Sequence, residues 1–282
     1  MTRGNPTFVV LPVSLACIAS SCAAIKTSYT QSAAHLLLPD GVTGAESLAF
    51  DSNNPGPNTG NITDAYKGLM RVGAHSGEAE VLAANTDGIS FNFVNGIGID
   101  QDTGDAYFTD SSTTYTLEIC VLINNIEIMM HTDATGRLLK YDAQTKQVTV
   151  LMTRLSYANS VVVSHDGNYI VVAHTWASQV FRYWIKGSKT GQYELFTNLL
   201  GYPDNVRRDD QSDYWVALNR ENIQRNATAS SNKHLSADGV GVEELTAAQG
   251  VTLSEVVERN DKLWLGSVEL DFVGQMNERS AY

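Results

Sequence analysis

Short apolar runs alternate with polar turns along most of the chain. Residues 95–99 form one such run, and the turn at residues 100–105 separates it from a second run at residues 106–109. The same order of polar residue, strand, turn and second strand begins again at Asn159 and at Asn205. Two short strands joined by a turn rich in Asp, Asn and Gly are typical of a β-hairpin.

Further pairs of strand-like runs precede these hairpins, so the repeating unit is four strands long. They occupy residues 68–72 with 79–82, 137–141 with 148–151, and 180–184 with 193–196. The polar residues that open the hairpins are 64 and then 46 residues apart. The second spacing is near the roughly 40 to 50 residues of a propeller blade. We therefore predict an all-β protein, a β-propeller whose innermost strands all begin at one central channel.

The first residues have the pattern of a secretory signal. Residues 8–24 are almost uniformly apolar or small, Arg3 precedes them, and small residues suited to cleavage end the stretch. We predict a signal peptide at residues 1–24 and a single domain at residues 25–282. An uncleaved membrane anchor is the alternative, although the apolar stretch is short for a span of about 20 residues.

Charge and composition narrow the class of partner. The formal net charge of −12 argues against nucleic acid, whose phosphates require clustered Lys and Arg. It suits a protein of the secretory pathway that acts on a small-molecule substrate or ligand and has no membrane contact after signal cleavage. The triplets at Asn61 and Asn226 are predicted glycosylation sites in that pathway. Only Cys120 would remain after cleavage, so no internal disulfide is expected.

Carboxylate and amide side chains recur where the inner strands are expected to begin. They are Glu46, Asn95, Asn159 and the pair Asp204 and Asn205. Any one of them alone could simply cap a turn through its own backbone. Their shared register favours one axial site instead, and an all-oxygen set with two carboxylates is typical of calcium. Zinc would require His or Cys, which this set lacks.

Two other residues near these strands are considered for a role in the site, Asp110 and His174. Asp110 is an additional candidate ligand, and the serines that follow it are expected to be turn residues. His174 ends a strand-like run and is expected to be structural rather than catalytic. None of the six histidines has the spacing of a metal site.

Several long motifs make the chain resemble strictosidine synthase and its strictosidine-synthase-like relatives of plants. They are residues 41–51, 105–112, 136–142, 181–184 and 201–208. The resemblance implies a six-bladed β-propeller, entry into the secretory pathway and often a vacuolar destination. It also implies kinship in fold with the paraoxonases and gluconolactonases. By that wider resemblance the five polar residues above fall on the positions that hold the catalytic calcium of paraoxonases.

One departure from the family pattern concerns the catalytic glutamate. The resemblance implies that strictosidine synthase uses a glutamate of the last inner strand for proton transfer while it condenses tryptamine with secologanin. That position falls on Ser254 in this chain. Glu255 is adjacent, but successive side chains of a strand point to opposite faces, so it is not expected to replace the lost group.

A second departure is a gap between residues 60 and 64, where the family carries several further strands. We therefore expect an incomplete propeller from which most of an early blade is missing. Closing a propeller requires every blade, so exposed strand edges are expected to follow.

These observations leave three functions open. The leading one is a secreted or vacuolar glycoprotein that uses calcium to hydrolyse small esters or lactones. The first alternative is strictosidine synthase activity, an amine-aldehyde condensation in alkaloid biosynthesis, which Ser254 argues against. The second alternative is a catalytically inactive propeller that binds a ligand.

Overall fold

The computed structural model describes residues 26–29, 34–37, 60–64, 68–72, 79–116, 133–221, 231–247, 252–267 and 272–277. Within these ranges the chain forms strands joined by turns and bends. No helix in this part of the chain is long and apolar enough to cross a membrane. The strands and turns of these residues confirm the all-β prediction.

The strands of the described residues are short and follow one another closely. In chain order they are β1 (Lys26–Tyr29), β2 (Ala34–Leu37), β3 (Gly60–Asp64), β4 (Gly68–Val72), β5 (Ala79–Ala83), β6 (Asn85–Thr86), β7 (Ile89–Ser90), β8 (Val94–Ile99), β9 (Ala106–Asp110), β10 (Gly136–Tyr141), β11 (Val148–Leu155), β12 (Ala158–Val163), β13 (Tyr169–His174), β14 (Gln179–Trp184), β15 (Tyr193–Asn198), β16 (Gly201–Arg208), β17 (Tyr214–Glu221), β18 (Ser231–Leu235), β19 (Gly241–Thr246), β20 (Glu255–Glu258), β21 (Lys262–Gly266) and β22 (Phe272–Asn277).

These strands build a series of antiparallel sheets. Within each sheet the strands follow one another in chain order, from the inner strand to the outer one. The sheets are β3-β4-β5, β8-β9-β10-β11, β12-β13-β14-β15, β16-β17-β18-β19 and β20-β21-β22, with a small hairpin formed by β6 and β7. β1 adds in parallel to the outer edge of β19, and β2 adds antiparallel to β22. The N-terminal part of the chain thus supplies the fourth strand of the last sheet.

The strand sequences suit sheets that are covered on both faces. Every residue of β13 is buried, and its side chains divide between two cores by alternation. Val171 packs with Val216 of the following sheet, whereas Ile170 and Val172 pack with Leu138 of the preceding sheet. Sheets stacked face to face with apolar residues on both sides are blades of a propeller.

The first strands of successive sheets lie side by side. β3 packs near β8, β8 near β12, β12 near β16, and β16 near β20. This order places the beginnings of the inner strands around a common centre, as the sequence predicts. The described residues contain five sheets of three or more strands, so the count of six blades and the incomplete ring stay predictions. β3 lies where the family pattern has its gap, and it forms the inner strand of the smallest of these five sheets.

Glycine sets the distance between two of the inner strands. A Cβ atom built on Gly96 would lie 2.5 Å from the carbonyl oxygen of Asn159 and 2.6 Å from the Cα atom of Ser160. A Cβ atom on Gly98 would lie 2.9 Å from the carbonyl oxygen of Val161. β8 and β12 therefore approach each other backbone to backbone, which only glycine allows at these two positions.

This close approach predicts graded effects of two alanine substitutions. Gly96→Ala is expected to lower the free energy of unfolding by about 1–3 kcal/mol or more, because backbone atoms cannot move aside as a flexible side chain does. Gly98→Ala should cost less, since its Cβ atom would meet less severe overlap. Urea denaturation of the two variants measures both. Equal stability of Gly96→Ala and the wild type would show that the two inner strands lie farther apart.

Candidate functional site

Each of three neighbouring inner strands carries a β-bulge near its start. Two residues of the inner strand there lie opposite one residue of the next strand. The pairs are Asn95 and Gly96 in β8, Asn159 and Ser160 in β12, and Asp204 and Asn205 in β16. Bulges of this kind redirect side chains and are frequent beside active sites. Four of the residues predicted to be ligands, Asn95, Asn159, Asp204 and Asn205, thus lie at these three bulges.

The bulges decide which polar residues are equivalent. Asp204 shares the first position of the bulge with Asn95 and Asn159, whereas Asn205 shares the second position with Gly96 and Ser160. Residues at the second position contact the neighbouring inner strand, and the backbone N–H of Asn205 accordingly donates to the carbonyl oxygen of Ser254 at 3.2 Å. The sequence alone left Asp204 and Asn205 as an unresolved pair.

Asn159 and Asp204 are in direct contact at the centre of this arrangement, and both are 6% exposed. The Nδ2 atom of Asn159 donates to Oδ1 of Asp204 at 2.8 Å and to Oγ1 of Thr175 at 3.1 Å. Thr175 in turn donates to the carbonyl oxygen of Pro203 at 2.8 Å. These bonds fix the orientation of the Asn159 amide, with its nitrogen toward the carboxylate.

The other end of the same amide is the oxygen. Oδ1 of Asn159 is buried and accepts no hydrogen bond from any of the residues that the structure describes. A buried polar atom without a partner is costly, and native proteins rarely leave one unless a ligand, ion or water satisfies it. An amide oxygen beside a carboxylate is the donor set of a hard cation such as calcium. The residues in place therefore fit the predicted metal.

Asn95 is tied to the same centre through side chains of the second strand, β9. Its Nδ2 atom donates to Oγ of Ser111 at 3.2 Å, and Ser111 donates to the carbonyl oxygen of Ala158 at 2.7 Å. Thr109 makes a parallel connection, since its hydroxyl accepts from the N–H of Gly96 and donates to the carbonyl oxygen of Asn159. Asn95 therefore sits beside the start of β12.

The other predicted site residues are Ser254, Asn61, Glu46 and Asn226, and the structure describes two of them. Ser254 lies beside Asn205 through the backbone bond described above, and its hydroxyl is buried without a hydrogen-bond partner among the described residues. Asn61 lies in β3. Glu46 and Asn226 lie outside the described residues, so both stay predictions.

Glu255 has a structural partner. Its carboxylate is fully buried and accepts from Nη2 of Arg207 at 2.5 Å. This ion pair joins β16 to β20, and so links the last two sheets next to the site. Glu255 is thus engaged in blade packing, in keeping with the expectation that it does not replace the glutamate missing at Ser254.

Asp110 also has a role other than the one considered from sequence. Its Oδ2 atom pairs with Nη2 of Arg137 at 2.5 Å, and its Oδ1 atom accepts from the backbone N–H of Phe93 at 2.7 Å. Both carboxylate oxygens are therefore engaged by donors that hold the chain entering β8. Asp110 positions the segment ahead of Asn95 and is not available as a cation ligand.

His174 is buried inside its blade, as expected for a structural residue. Its Nε2 atom is hydrogen-bonded to the hydroxyl of Tyr193, and its ring packs 4.9 Å from that of Phe181. Burial lowers the pKa of His174 from 6.5 to about 4. The imidazole is therefore neutral at neutral pH.

A second polar cluster, which the sequence did not indicate, lies at the other end of β16. Ligand atoms of Asp209, Asp213 and His234 lie within 4.8 Å of one another. Asp209 already accepts from the backbone N–H of Asp213 at 2.8 Å and from Nε2 of His234 at 2.8 Å. Burial lowers the pKa of His234, but the bond to Asp209 and the nearby carboxylates outweigh it, so the net pKa is raised. Within the described residues, hydrogen-bond donors thus engage both carboxylate oxygens of Asp209, and neither oxygen is left for a metal.

Comparisons with known proteins agree with the family that the sequence motifs resemble. The sequence model of the family described as strictosidine synthase matches residues 95–188. Protein strictosidine synthase-like 2 of Arabidopsis thaliana is 34% identical over 269 residues, which cover 80% of this chain and 69% of that protein. The chain belongs to the strictosidine synthase-like family. Protein strictosidine synthase-like 10 of the same plant is 32% identical over 246 residues, covering 76% of this chain and 64% of the relative. The chain thus spans about two thirds of the length of these relatives.

Solved structures of other proteins share the fold of this chain. A gluconolactonase of Xanthomonas campestris superposes with a TM-score of 0.57 at 14% identity, over 78% of this chain and 71% of that one. The calcium-binding protein regucalcin of Agrobacterium tumefaciens gives a TM-score of 0.54 at 15% identity, over 78% and 72%. At such identities the likeness establishes the β-propeller fold of this strictosidine synthase-like protein.

The Arg207 and Glu255 pair predicts a specific loss of stability. Arg207→Ala leaves a fully buried carboxylate without its cation, which typically costs about 3–5 kcal/mol. Arg208→Ala, one residue on, removes a positive charge that the buried pair does not use and should cost far less. Thermal and denaturant unfolding of both variants compares them, and equal losses would contradict the packing role of Glu255.

The buried His174 predicts that acid destabilises the fold. The unfolded chain takes up the histidine proton near pH 6.5 and the folded chain only near pH 4, so the unfolded state binds more protons between these values. Its contribution is therefore present above pH 6.5 and is lost as the pH falls toward 4, by about 3 kcal/mol at most. His174→Gln should flatten this part of the stability curve, whereas His165→Gln, in an exposed turn, should not. An unchanged curve for His174→Gln would locate the acid sensitivity elsewhere.

Proposed function

We propose that this strictosidine synthase-like propeller binds a calcium ion at the bulges of its inner strands and hydrolyses small esters or lactones there. The observation that carries the proposal is the buried Oδ1 atom of Asn159, which has no hydrogen-bond partner among the described residues and belongs to the amide that bonds the carboxylate of Asp204. Because Nδ2 of Asn159 donates to Asp204, the amide oxygen points away from that carboxylate oxygen. A bound cation would satisfy this oxygen as an acceptor.

The ligand set would comprise the residues that the sequence singled out. Asn159 and Asp204 would contribute oxygens at its centre, and Asn95, Asn205 and Glu46 would complete the shell. A bound calcium ion supplies a Lewis acid that polarises a carbonyl oxygen. Thr175 holds the amide of Asn159 in its orientation, so the donor atoms are arranged in advance and little reorganisation would accompany binding.

The names of two structural neighbours support this class of reaction. One neighbour is named a gluconolactonase and another a calcium-binding protein. Both names concern those proteins, and they agree with the chemistry inferred from Asn159 and Asp204. A small neutral lactone or ester also suits a site whose described ligands carry one carboxylate among amides.

Condensation of an amine with an aldehyde receives less support. That reaction needs a proton acceptor and donor at the start of the last inner strand, and Ser254 supplies only a buried hydroxyl there. The neighbouring carboxylate of Glu255 is bound to Arg207. The residues present therefore favour hydrolysis over strictosidine synthesis.

The cellular setting is proposed from the sequence. A signal peptide at residues 1–24 would bring the protein into the secretory pathway, with the vacuole or the extracellular space as its destination. Asn61 and Asn226 would carry glycans. The acidic composition supports a small-molecule ligand and no nucleic-acid partner.

Calcium is expected to stabilise the protein through Asn159. At a calcium concentration about 100-fold above the dissociation constant, binding adds about 2.7 kcal/mol, which raises Tm by roughly 5–10 °C for a protein of this size. Asn159→Leu should abolish the shift. Asn232→Leu is the matched control, because Asn232 is fully buried, its amide atoms have no hydrogen-bond partner within the described part of the chain, and it lies in β18, away from the bulges. Scanning calorimetry with calcium and with a chelator measures the difference.

Turnover separates the enzyme from an inactive binding propeller. Purified protein should hydrolyse phenyl acetate or δ-valerolactone in calcium, and the chelator and Asp204→Asn should each remove the activity. A calcium-dependent Tm without turnover would contradict hydrolysis and favour the binding propeller. A Tm indifferent to calcium would contradict the metal site itself.

A further inference from the structure

We propose that His234, Asp209, Trp215 and Glu258, here called the acid clamp, form a pH-sensitive switch between the last two sheets. The clamp holds the two sheets together when His234 is protonated and loosens them when it is neutral. Asp209 follows the last residue of β16, so the acid clamp lies at the end of this strand opposite to the polar centre. It uses no residue of the proposed calcium site and is independent of the proposed function.

His234 lies on β18 between a carboxylate and an aromatic ring. Its Nε2 atom is hydrogen-bonded to Oδ2 of Asp209 at 2.8 Å, and the two side chains are 13% and 1% exposed. The imidazole stacks flat on the indole of Trp215, with ring centroids 4.4 Å apart and an angle of 2° between the planes. The face of a tryptophan attracts a positive charge, and so does a carboxylate. Both neighbours therefore favour the protonated form of His234.

Trp215 extends this contact to the next sheet. Its Nε1 atom donates to Oε2 of Glu258 at 3.2 Å, and Glu258 is the last residue of β20. The indole also packs with Val256 of the same strand in the apolar core between the two sheets. The contacts from Asp209 through His234 and Trp215 to Glu258 therefore cross from one blade to the next.

Carboxylates from three other elements surround His234. Asp209 and Asp213 lie in the turn between β16 and β17, with ligand atoms within 4.8 Å of those of His234 and of each other. Glu243 of β19 is paired with His234 in the strand register, and Glu258 approaches from β20. Burial lowers the pKa of His234, but the bond to Asp209 and the charges of Asp209, Asp213 and Glu258 outweigh it and raise the pKa above 6.5.

Positive side chains near the clamp have carboxylate partners of their own. Lys233, which precedes His234 on β18, bonds Glu244 at 2.6 Å, and Arg207 is held in the ion pair described above. Lys26 of β1 stands on the far side of β19 in the strand register. Protonation of His234 thus adds a cation to a predominantly acidic cluster.

The direction of the switch follows from the raised pKa of His234. A group whose pKa is raised by folding stabilises the folded state fully below the pKa of the unfolded chain, which is 6.5. The contribution is lost as the pH rises through the higher pKa of the folded state. The clamp is therefore closed in an acidic compartment and loosened in alkaline surroundings. His174 has the opposite effect, because burial lowers its pKa.

The clamp acts on two strands that also support the polar centre. β16 and β20 meet again where the backbone N–H of Asn205 donates to the carbonyl oxygen of Ser254. Because β20 is only four residues long, a loss of contact at Glu258 lies within one short strand of Ser254. The pH switch is therefore expected to change how firmly the last inner strand is held beside the polar centre.

Thermal unfolding of wild type and His234→Gln tests the switch. Glutamine retains a donor for Asp209 but cannot be protonated. The Tm advantage of the wild type should be larger at about pH 5.5 than at about pH 9, by roughly 2–4 °C, the size expected for one cation–ring contact. His174 is present in both proteins, so its effect cancels. His165→Gln, in an exposed turn, is the matched control and should show no pH-dependent difference.

An NMR titration of the histidine rings leaves His234 in place. The ring of His234 should titrate above pH 6.5, and Asp209→Asn should move its midpoint to a lower pH. The asparagine keeps the oxygen that accepts the backbone N–H groups of Gln211 and Asp213. A midpoint of His234 at or below 6.5 in the wild type would overturn the switch.

Hydrogen exchange read by mass spectrometry locates the effect. After correction for the intrinsic pH dependence of exchange, residues 255–258 of the wild type should exchange about two- to five-fold more slowly at about pH 5.5 than at about pH 9. This factor is the energy of one cation–ring contact expressed as a ratio of opening equilibria. His234→Gln should show no such change, and β12 and β13 serve as the internal control.

Two outcomes of the exchange experiment would overturn the acid clamp. One is a pH effect of equal size in wild type and His234→Gln, and the other is an effect spread evenly over all the sheets. All three measurements are made with a chelator and without substrate. Failure of calcium-dependent hydrolysis would therefore leave the acid clamp intact, and failure of the clamp would leave the proposed function intact.

Discussion

The close backbone approach of neighbouring inner strands is the constraint on which the rest of the structure depends. Gly96 permits it between β8 and β12, where any side chain atom would overlap the carbonyl oxygen of Asn159. A bulge interrupts the ladder of each of these two strands with its neighbour in the same blade, and Gly96 lies in the first of them. The bulge frees the residue at its first position from strand pairing. The site is therefore a consequence of how the blades meet at the centre.

Buried charges outside the polar centre leave the centre itself nearly neutral. Arg137 is paired with Asp110 and Arg207 with Glu255, so these two cations are each matched by a carboxylate of an adjoining strand. Buried pairs of this kind add little net stability, but losing one partner is costly. They fix the segments that carry Phe93 and Ser254. The carboxylate of Asp204 is thereby left among amides and hydroxyls, an environment suited to a divalent cation.

The family has kept the scaffold in this chain while the group expected to transfer protons has changed. The motifs at residues 105–112, 136–142 and 201–208, the last of which carries Asp204, resemble the strictosidine synthase-like pattern. Ser254 stands at the start of the last inner strand, next to Asn205, in place of the glutamate that the resemblance implies. Function in such a fold resides in the few side chains that reach the centre, so the residue at this position bears directly on the chemistry that the site can support.

The sequence by itself determined the strands, the hairpins and the convergence of polar residues, because alternation and turn residues act over a few neighbours. It also determined the family and the loss at Ser254. Tertiary structure decided that Asp204 is equivalent to Asn95 and Asn159, since a bulge depends on the partner strand. It also decided that Asp110 and Glu255 serve ion pairs and that the ring of Trp176 packs between those of Tyr157 and Tyr202. These contacts join residues far apart in the chain, and no local pattern specifies which buried partner a charge or a ring will meet.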